Sequence, residues 1–240
     1  MPGGSGVLAL GLAEPGSRTG RWTDLRLRTL SAAALAPVAL VCGWIGGLPF
    51  TALIGAGALG LTVEWTRLSH RNIAPLWLVF TGFLWIGMAG AALLWLRALA
   101  GGQGAVITLM VVVWATDITA YVMGRAVGGP RLAPRISPGK TWSGAACGLA
   151  AAVLTSLVAS LAFGLAQPPA AAVGGALLGI AAQIGDFAES AIKRRLGVKD
   201  SGGLIPGHGG LFDRLDGLMA AAPLAALLAL LTERGVLLMG

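Results

Sequence analysis

The sequence predicts an all-α fold, a polytopic helical bundle that lies in a membrane. Of its 240 residues, 56% are hydrophobic and only 11% are charged, and the mean hydropathy is +0.80. Soluble domains carry roughly 25% charged residues. The apolar stretches run for about 17 to 25 residues, the length that a helix needs to cross a membrane. They lack the alternation that barrel strands require, so we expect about seven to nine transmembrane helices, some of them short or broken.

The apolar stretches place seven membrane helices along the chain. We predict them at about residues 29–46, 48–64, 74–99, 104–123, 142–164, 170–192 and 217–232. The stretch 74–99 contains three glycines and could form two shorter helices, and residues 200–212 could hold another. Broken helices are tolerated only where they are buried in protein or line a wet cavity. Without a repeat or linker, residues 29–240 form a single bundle that follows an interfacial N-terminal segment, residues 1–28.

The positive charge follows the loops of this bundle. A net charge of +7 would suggest nucleic acid in a soluble protein, but here most Lys and Arg residues cluster outside the apolar stretches. If the helices cross in turn, residues 1–28, 65–73, 124–141 and 193–216 lie on one side. We expect that side to be cytoplasmic, because basic loops stay inside. The sequence thus predicts an integral protein of a bacterial inner or plasma membrane that binds no nucleic acid.

Asp117 is an acid within a predicted membrane helix, near the end of that helix that we expect to be cytoplasmic. An acid in the bilayer costs several kcal/mol, about 2.5 to 3.5 on insertion scales, so each one is a candidate functional residue. Asp117 and Tyr121 are four residues apart and share a helical face. The structural alternative is that Asp117 reaches the interface or pairs with Arg125.

A stronger polar feature lies in the sixth predicted helix. Asp186, Glu189, Ser190 and Lys193 are spaced i, i+3, i+4 and i+7, which stacks two carboxylates, a hydroxyl and an ammonium on one face. An ion pair between Glu189 and Lys193 would stabilise the helix by only about 0.2 to 0.5 kcal/mol. It would not explain Asp186, so we interpret this face as functional.

Two more acids, Asp213 and Asp216, open the last apolar stretch. Alone, they would be acidic first-turn residues that the helix dipole favours. Beside Asp186 they complete a set of three carboxylates, which is the oxygen-rich kind of site that Mg²⁺ prefers. Both cysteines, Cys42 and Cys147, lie in apolar stretches, so neither a disulfide framework nor a thiolate metal site is indicated.

A glycine-rich loop precedes these acids. The stretch "PGHGG", residues 206–210, lets backbone N–H groups approach an anion, and Lys199, His208 and Arg214 supply further donors. A plain re-entrant turn explains the glycines equally well.

A second loop also suits phosphate. Ser137, Lys140 and Thr141 stand just ahead of a predicted helix N-terminus, where anions are favoured. The fragment "GKT" is not the end of a Walker A loop, because Pro134 stands where that motif needs glycine. The alternative is a basic loop that only anchors the topology.

The run "SAIKRRLGVKDSGGLIPGHGGLFDRLD", residues 190–216, resembles a family signature. It is similar to that of the phosphatidate cytidylyltransferases (CDP-diacylglycerol synthases), S-x-x-K-R, then K-D, then P-x-H-G-G-x-x-D-R-x-D, without departure. The segments "TDITAYVMGR" and "SPGKTWSG" also resemble polar segments of this family, so the resemblance covers about residues 114–217. The N-terminal half is similar only as a series of hydrophobic helices.

The resemblance implies a reaction in which CTP and phosphatidic acid give CDP-diacylglycerol and pyrophosphate. It implies Mg²⁺, with a second cation left open, and a homodimer. We assign the metal to Asp186, Asp213 and Asp216, with Glu189 beside it. Lys193, Lys199, His208 and Arg214 are expected to contact phosphates, with Lys193 and Arg214 as catalytic residues. The residues expected to border the nucleotide or the lipid headgroup are Asp117, Ser137, Lys140, Thr141, Ser190, Gly209 and Gly210.

Two other functions stay open. The CDP-alcohol phosphotransferases also use membrane carboxylates and Mg²⁺, but in the order D-G-x-x-A-R…G-x-x-x-D-x-x-x-D, of which this chain has only Asp216 and Gly217. An ion-coupled transporter would bind its ions near the midplane. The acids here crowd one end of the helices, which argues against a path through the membrane.

Overall fold

The computed structural model describes residues 35–198, 200–202 and 210–231. These ranges form seven helices and one β-hairpin. The helices are α1 (Leu35–Ile45), α2 (Gly47–Arg71), α3 (Leu76–Ala98), α4 (Gly102–Ala126), α5 (Trp142–Phe163), α6 (Pro168–Arg195) and α7 (Phe212–Leu231). The strands are β1 (Arg131–Ala133) and β2 (Ser137–Thr141).

The all-α membrane bundle predicted from the sequence is confirmed. Helices α2 to α7 are six that are long and apolar enough to span a membrane, and α1 is a shorter apolar helix. Within the described ranges the number of spans is therefore somewhat below seven to nine. The predicted segment 1–28 and the start of the predicted helix 29–46 lie outside those ranges.

The structure differs from the predicted helices at the end of α2, and it excludes a break in α3. Helix α2 continues to Arg71, so most of the predicted loop 65–73 is helical. Helix α3 is continuous, and the alternative of two shorter helices does not hold. Its Gly82 is a contact point, because a Cβ there would lie 2.0 Å from the Trp65 ring. Small residues at such contacts let membrane helices approach closely, and they need not break the helix.

Helix α4 lies at the centre of the bundle. It contacts α3, α5, α6 and α7, and its Val106, Leu109 and Val112 are fully buried. Its closest neighbour is α5, where a Cβ on Gly148 would lie 2.9 Å from the Thr116 carbonyl oxygen. Further out, α2 packs on α3, and α3 packs on α7. Large apolar side chains such as Leu48 and Leu161 point outward, as lipid contact requires.

An aromatic cluster anchors the start of α7. The rings of Trp65 and Phe212 stack with centroids 5.4 Å apart, and Trp85 meets Phe212 edge-on at 5.7 Å. Trp85 Nε1 also donates a hydrogen bond to the Met219 carbonyl oxygen at 2.9 Å. These contacts fix α7 against α2 and α3.

The polar connections meet at one end of the bundle. Successive long helices run in opposite directions. Residues 72–75, the hairpin, residues 196–198 after α6 and residues 210–211 before α7 therefore lie at the same end. The hairpin, which the sequence analysis treated as a loop, pairs Arg131 with Thr141 and Ala133 with Ser137 in antiparallel fashion. It leads directly into α5 and brings its basic residues to the ends of α4 and α6.

Candidate active site

A group of three carboxylates lies between α6 and α7. Asp186 and Glu189 are three residues apart on α6, and Asp216 faces them from the second turn of α7. One oxygen from each carboxylate lies within 4.8 Å of the other two. Glu189 and Asp216 are buried, whereas 34% of the Asp186 side chain is exposed. The group is therefore accessible from the side of Asp186.

Gly185 brings these two helices together. A Cβ built on Gly185 would lie 2.4 Å from the Asp216 carbonyl oxygen and 2.8 Å from the Ala220 Cβ. A larger residue would push α7 away, since one of these neighbours is backbone. Because Gly185 precedes Asp186, this contact sets the distance between the acids of α6 and Asp216.

The hairpin supplies a cation to the carboxylate group. Lys140 Nζ lies 2.5 Å from Asp186 Oδ2 and 4.1 Å from the centroid of the Phe187 ring. Lys140 therefore lies over α6, and its predicted role beside the substrate stays a prediction. Its partner, however, is an acid that we assigned to the metal.

The residues around Lys140 form the junction between the hairpin and α5. Thr141 is the N-cap of α5, and its Oγ1 accepts a hydrogen bond from the Gly144 N–H at 3.1 Å. Ser143 donates to the Gly128 carbonyl oxygen. Ser137 is half-buried at the start of β2. The predicted helix start is thus confirmed, and the Thr141 hydroxyl has a structural role there.

Lys193 and Asp213 form a second ionic contact beside the carboxylate group. Lys193 Nζ lies 2.7 Å from Glu189 Oε1 and 2.9 Å from Asp213 Oδ1. Asp213 Oδ2 accepts hydrogen bonds from the backbone N–H groups of Ser201 at 3.3 Å and Gly210 at 3.1 Å. Asp213 is thus bound by an ammonium and two backbone N–H groups. The group of acids close enough to hold a metal contains Glu189 and not Asp213. The assignment of Asp213 as a metal ligand stays a prediction.

Asp117 lies on α4 at the edge of the site. It is exposed and interacts electrostatically with Asp186 and Lys140. Arg125 instead donates a hydrogen bond from Nη1 to the Tyr121 hydroxyl oxygen at 2.5 Å. Among the described residues the alternative pairing of Asp117 with Arg125 is not observed.

The other predicted site residues lie nearby or outside the described ranges. Ser190 is half-buried on α6, Gly210 is buried ahead of α7, and Arg214 is exposed on the first turn of α7. Three further predicted residues, Lys199, His208 and Gly209, lie outside the described residues.

Glu64 is a site residue that the sequence analysis missed. It is 3% exposed, and its Oε2 accepts a hydrogen bond from the Leu211 N–H at 2.7 Å, at the start of α7. The sequence does mark Glu64, because it is an acid in an apolar helix, and the same observation makes Asp117 a candidate functional residue. The sequence predicts a helix that ends at residue 64, whereas α2 continues to Arg71.

Known proteins are similar to this chain over the range that contains these residues. The sequence model of the cytidylyltransferase family matches residues 71–232, which contain every site residue described above except Glu64. The chain is 41% identical to a phosphatidate cytidylyltransferase of Brucella abortus, over 90% of this chain and 97% of the relative. It is 32% identical to one of Rickettsia bellii, over 84% of this chain and 89% of the relative.

A third relative is similar over a shorter range. A phosphatidate cytidylyltransferase of Pseudomonas aeruginosa is 44% identical over 128 residues, which cover 52% of this chain and 47% of the relative.

Proposed function

Because the chain belongs to the cytidylyltransferase family, we propose that it transfers a cytidylyl group from CTP to phosphatidate. In this reaction an oxygen of the lipid phosphate bonds to the α-phosphorus of CTP. The bond from that phosphorus to the β-phosphate oxygen breaks, and pyrophosphate leaves. The products are CDP-diacylglycerol and pyrophosphate.

The observation that carries this proposal is the carboxylate group flanked by two lysines. Asp186, Glu189 and Asp216 converge from two helices, with Lys140 against the first and Lys193 against the second. Two anionic substrates must approach each other, so the site has to screen their repulsion. Carboxylates can do so only through bound cations, whereas the lysines can contact phosphate oxygens directly.

The carboxylate group fits Mg²⁺. All its donors are oxygens, which Mg²⁺ binds at about 2.1 Å, so ligands on opposite sides of the ion lie about 4.2 Å apart. One oxygen from each acid lies within 4.8 Å of the other two, so side-chain shifts of under about 1 Å would bring all three to that separation. Glu189 Oε1 is buried, and the cation nearest to it among the described residues is Lys193 Nζ at 2.7 Å. A buried carboxylate of this kind needs a cation beside it.

The residues of the site have separable roles in this proposal. Bound Mg²⁺ would neutralise phosphate charge and orient the reacting groups. Lys140 would move from Asp186 to a phosphate oxygen of the substrate, since its ammonium is only partly buried. Lys193, held by Glu189 and Asp213, would stabilise the charge on the leaving pyrophosphate. No general base is needed, because the attacking lipid phosphate is already an anion.

We also propose that the site faces the cytoplasm. The connections at the opposite end, residues 99–101 and 164–167, carry no charged residue, whereas Arg131, Arg135 and Lys140 lie in the hairpin. Basic connections stay on the cytoplasmic side. Single cysteines in a chain without Cys42 and Cys147 test this orientation. In intact cells an impermeant maleimide should label Gln167→Cys and spare Arg135→Cys; the reverse pattern contradicts the proposal.

The homodimer that the family resemblance implies stays a prediction, and a second cation stays open. Cross-linking in native membranes tests the first. Titration of bound Mn²⁺ per chain tests the second.

The reaction is tested by following both products. Purified protein in detergent receives CTP labelled in the cytosine ring, phosphatidate and Mg²⁺. We expect label in the lipid fraction and one pyrophosphate released for each labelled lipid. Removal of Mg²⁺ by EDTA should stop both, and added Mg²⁺ should restore both. An ion-coupled transporter would release no pyrophosphate, and a CDP-alcohol phosphotransferase would consume CDP-diacylglycerol and leave CTP intact.

A further inference from the structure

Glu64 holds the start of α7 from a helix that is distant in sequence. Its Oε2 accepts from the Leu211 N–H at 2.7 Å, and its Oε1 accepts from the Phe212 N–H at 3.4 Å. The Ser201 hydroxyl donates to the same Oε1. One buried carboxylate therefore joins α2, residues 200–202 and α7.

The charge of Glu64 is balanced by the backbone. Arg67 and Arg71 line a cavity of about 330 Å³ together with Glu64, yet among the described residues neither forms an ion pair with it. The first N–H groups of a helix carry partial positive charge and lack partners within the helix. Glu64 satisfies such groups on α7, as a capping residue does, although it belongs to another helix.

The chain is shaped closely around this carboxylate. A Cβ on Gly210 would lie 2.0 Å from Glu64 Oε1, and a Cβ on Gly202 would lie 2.9 Å from Glu64 Cδ. Only glycine leaves room for the carboxylate at these two positions. Gly202 and Gly210 are therefore fitted to Glu64 from two sides.

A line of contacts leads from Glu64 to the carboxylate group. Ser201, which donates its hydroxyl to Glu64, donates its backbone N–H to Asp213 Oδ2 at 3.3 Å. Asp213 Oδ1 lies 2.9 Å from Lys193 Nζ. Lys193 Nζ in turn lies 2.7 Å from Glu189 Oε1, which belongs to the group that can hold a metal.

We propose that Glu64 is a positioning residue for this site. By fixing Ser201 and the first turn of α7, it sets where Asp213 holds Lys193 and thereby where Glu189 stands. The inference rests on the proposed function for the identity of the reaction only. A residue that merely caps α7 would change the stability of the fold, whereas a positioning residue changes turnover in protein that stays folded.

The test compares three variants with the wild-type protein. Glu64→Gln keeps the shape and removes the charge, and Ser201→Ala removes only the hydroxyl bond to Glu64. The matched control is Thr66→Val on the exposed face of α2, where the Thr66 hydroxyl donates only to the Thr62 carbonyl oxygen of its own helix. The measurements are kcat and KM for CTP, the thermal midpoint, and Mn²⁺ affinity by electron paramagnetic resonance without nucleotide or lipid.

Residues that orient metal ligands from behind typically change activity or metal affinity by about 10- to 100-fold. We expect Glu64→Gln to lower kcat and Mn²⁺ affinity in that range, with KM for CTP little changed and the protein folded. Ser201→Ala should lower the same two quantities less, and Thr66→Val should match wild type.

Two results overturn the proposal. One is a folded Glu64→Gln protein with wild-type kcat and wild-type Mn²⁺ affinity. The other applies if Glu64→Gln does not fold: a wild-type kcat in Ser201→Ala then overturns the proposal. Absence of Mn²⁺ binding in the wild-type protein would contradict the proposed metal instead, and kcat would still decide the role of Glu64.

Discussion

Lys140 Nζ lies 2.5 Å from Asp186 Oδ2, and this contact joins the hairpin to α6. It is supported by the Phe187 ring beneath the ammonium and by Arg194 Nε, which donates to the Ile136 carbonyl oxygen at 3.3 Å. The hairpin lies outside the apolar core, so these polar contacts hold it over the carboxylates. They also place a cation where the substrates must arrive.

Replacement of Lys140 by methionine should therefore impair substrate use more than folding. A hydrogen bond to a charged group is worth about 1.5 to 3 kcal/mol, so we expect kcat/KM for CTP to fall about 10- to 100-fold. Arg135→Gln, on the same hairpin and exposed, is the control and should retain wild-type kcat/KM. Equal losses in both variants would mean that general hairpin charge, and not the contact of Lys140, matters.

Asp186→Asn should abolish CTP-dependent turnover while the protein still folds and inserts. The amide cannot replace the negative charge that a cation needs, and Asp186 is the most accessible of the three acids. The same result is expected for Asp213→Asn from the sequence assignment. Steady-state assays over a range of Mg²⁺ concentrations test both variants. Mg²⁺-dependent activity in Asp186→Asn would contradict the assignment of Asp186 as a metal ligand.

Comparison of Asp186→Asn with Asp213→Asn decides whether Asp213 is a metal ligand or acts only by holding Lys193. If Asp213 acts only through Lys193, Mn²⁺ affinity should fall less in Asp213→Asn than in Asp186→Asn. Equal losses of Mn²⁺ affinity would favour Asp213 as a direct ligand.

Gly185→Ala should lower activity strongly, because its Cβ would lie 2.4 Å from the Asp216 carbonyl oxygen and separate α7 from α6. Gly87→Ala on α3 is the matched control, since nothing lies within 4 Å of a Cβ there. We expect the control to keep full activity. Assays of turnover beside thermal midpoints in detergent distinguish the two positions, and full activity in Gly185→Ala would show that the α6–α7 distance is not critical.

Thr141→Ala should destabilise the protein by removing the N-cap of α5. Loss of such a cap typically costs about 1 kcal/mol. Thr141→Ser keeps the oxygen that accepts from Gly144 and should retain wild-type stability. Reversible unfolding in mixed micelles measures the difference. Equal stability of the alanine and serine variants would contradict the capping role.

The sequence predicted the fold because each long helix is visible locally. A helix that crosses a membrane must be apolar over its own length, so α4, α5 and α6 could be located without knowledge of their neighbours. The polar face of α6 was visible for the same reason, since Asp186, Glu189 and Lys193 are neighbours along one helix.

The contacts between distant segments could not be predicted in this way. Glu64 accepts hydrogen bonds from Leu211 and Phe212, which follow it by 147 and 148 residues, and no spacing in the sequence relates them. The partners of Asp213 are similar, because no spacing in the sequence indicates that the backbone N–H of Ser201 donates to its carboxylate. The strands of the hairpin have only three and five residues, and β2 contains Pro138, so they produce no strand pattern in the sequence.

The length of α6 bears on how its substrates are supplied. At about 1.5 Å per residue its 28 residues extend about 42 Å, and Asp186 lies about 27 Å from the first. The hydrocarbon layer is about 30 Å thick, so a helix that begins at one boundary brings Asp186 to the level of the phospholipid headgroups at the other. A phosphatidate molecule could then react without leaving its leaflet. Turnover would follow surface dilution: it depends on the mole fraction of phosphatidate in the bilayer and stays constant when more membrane of the same composition is added.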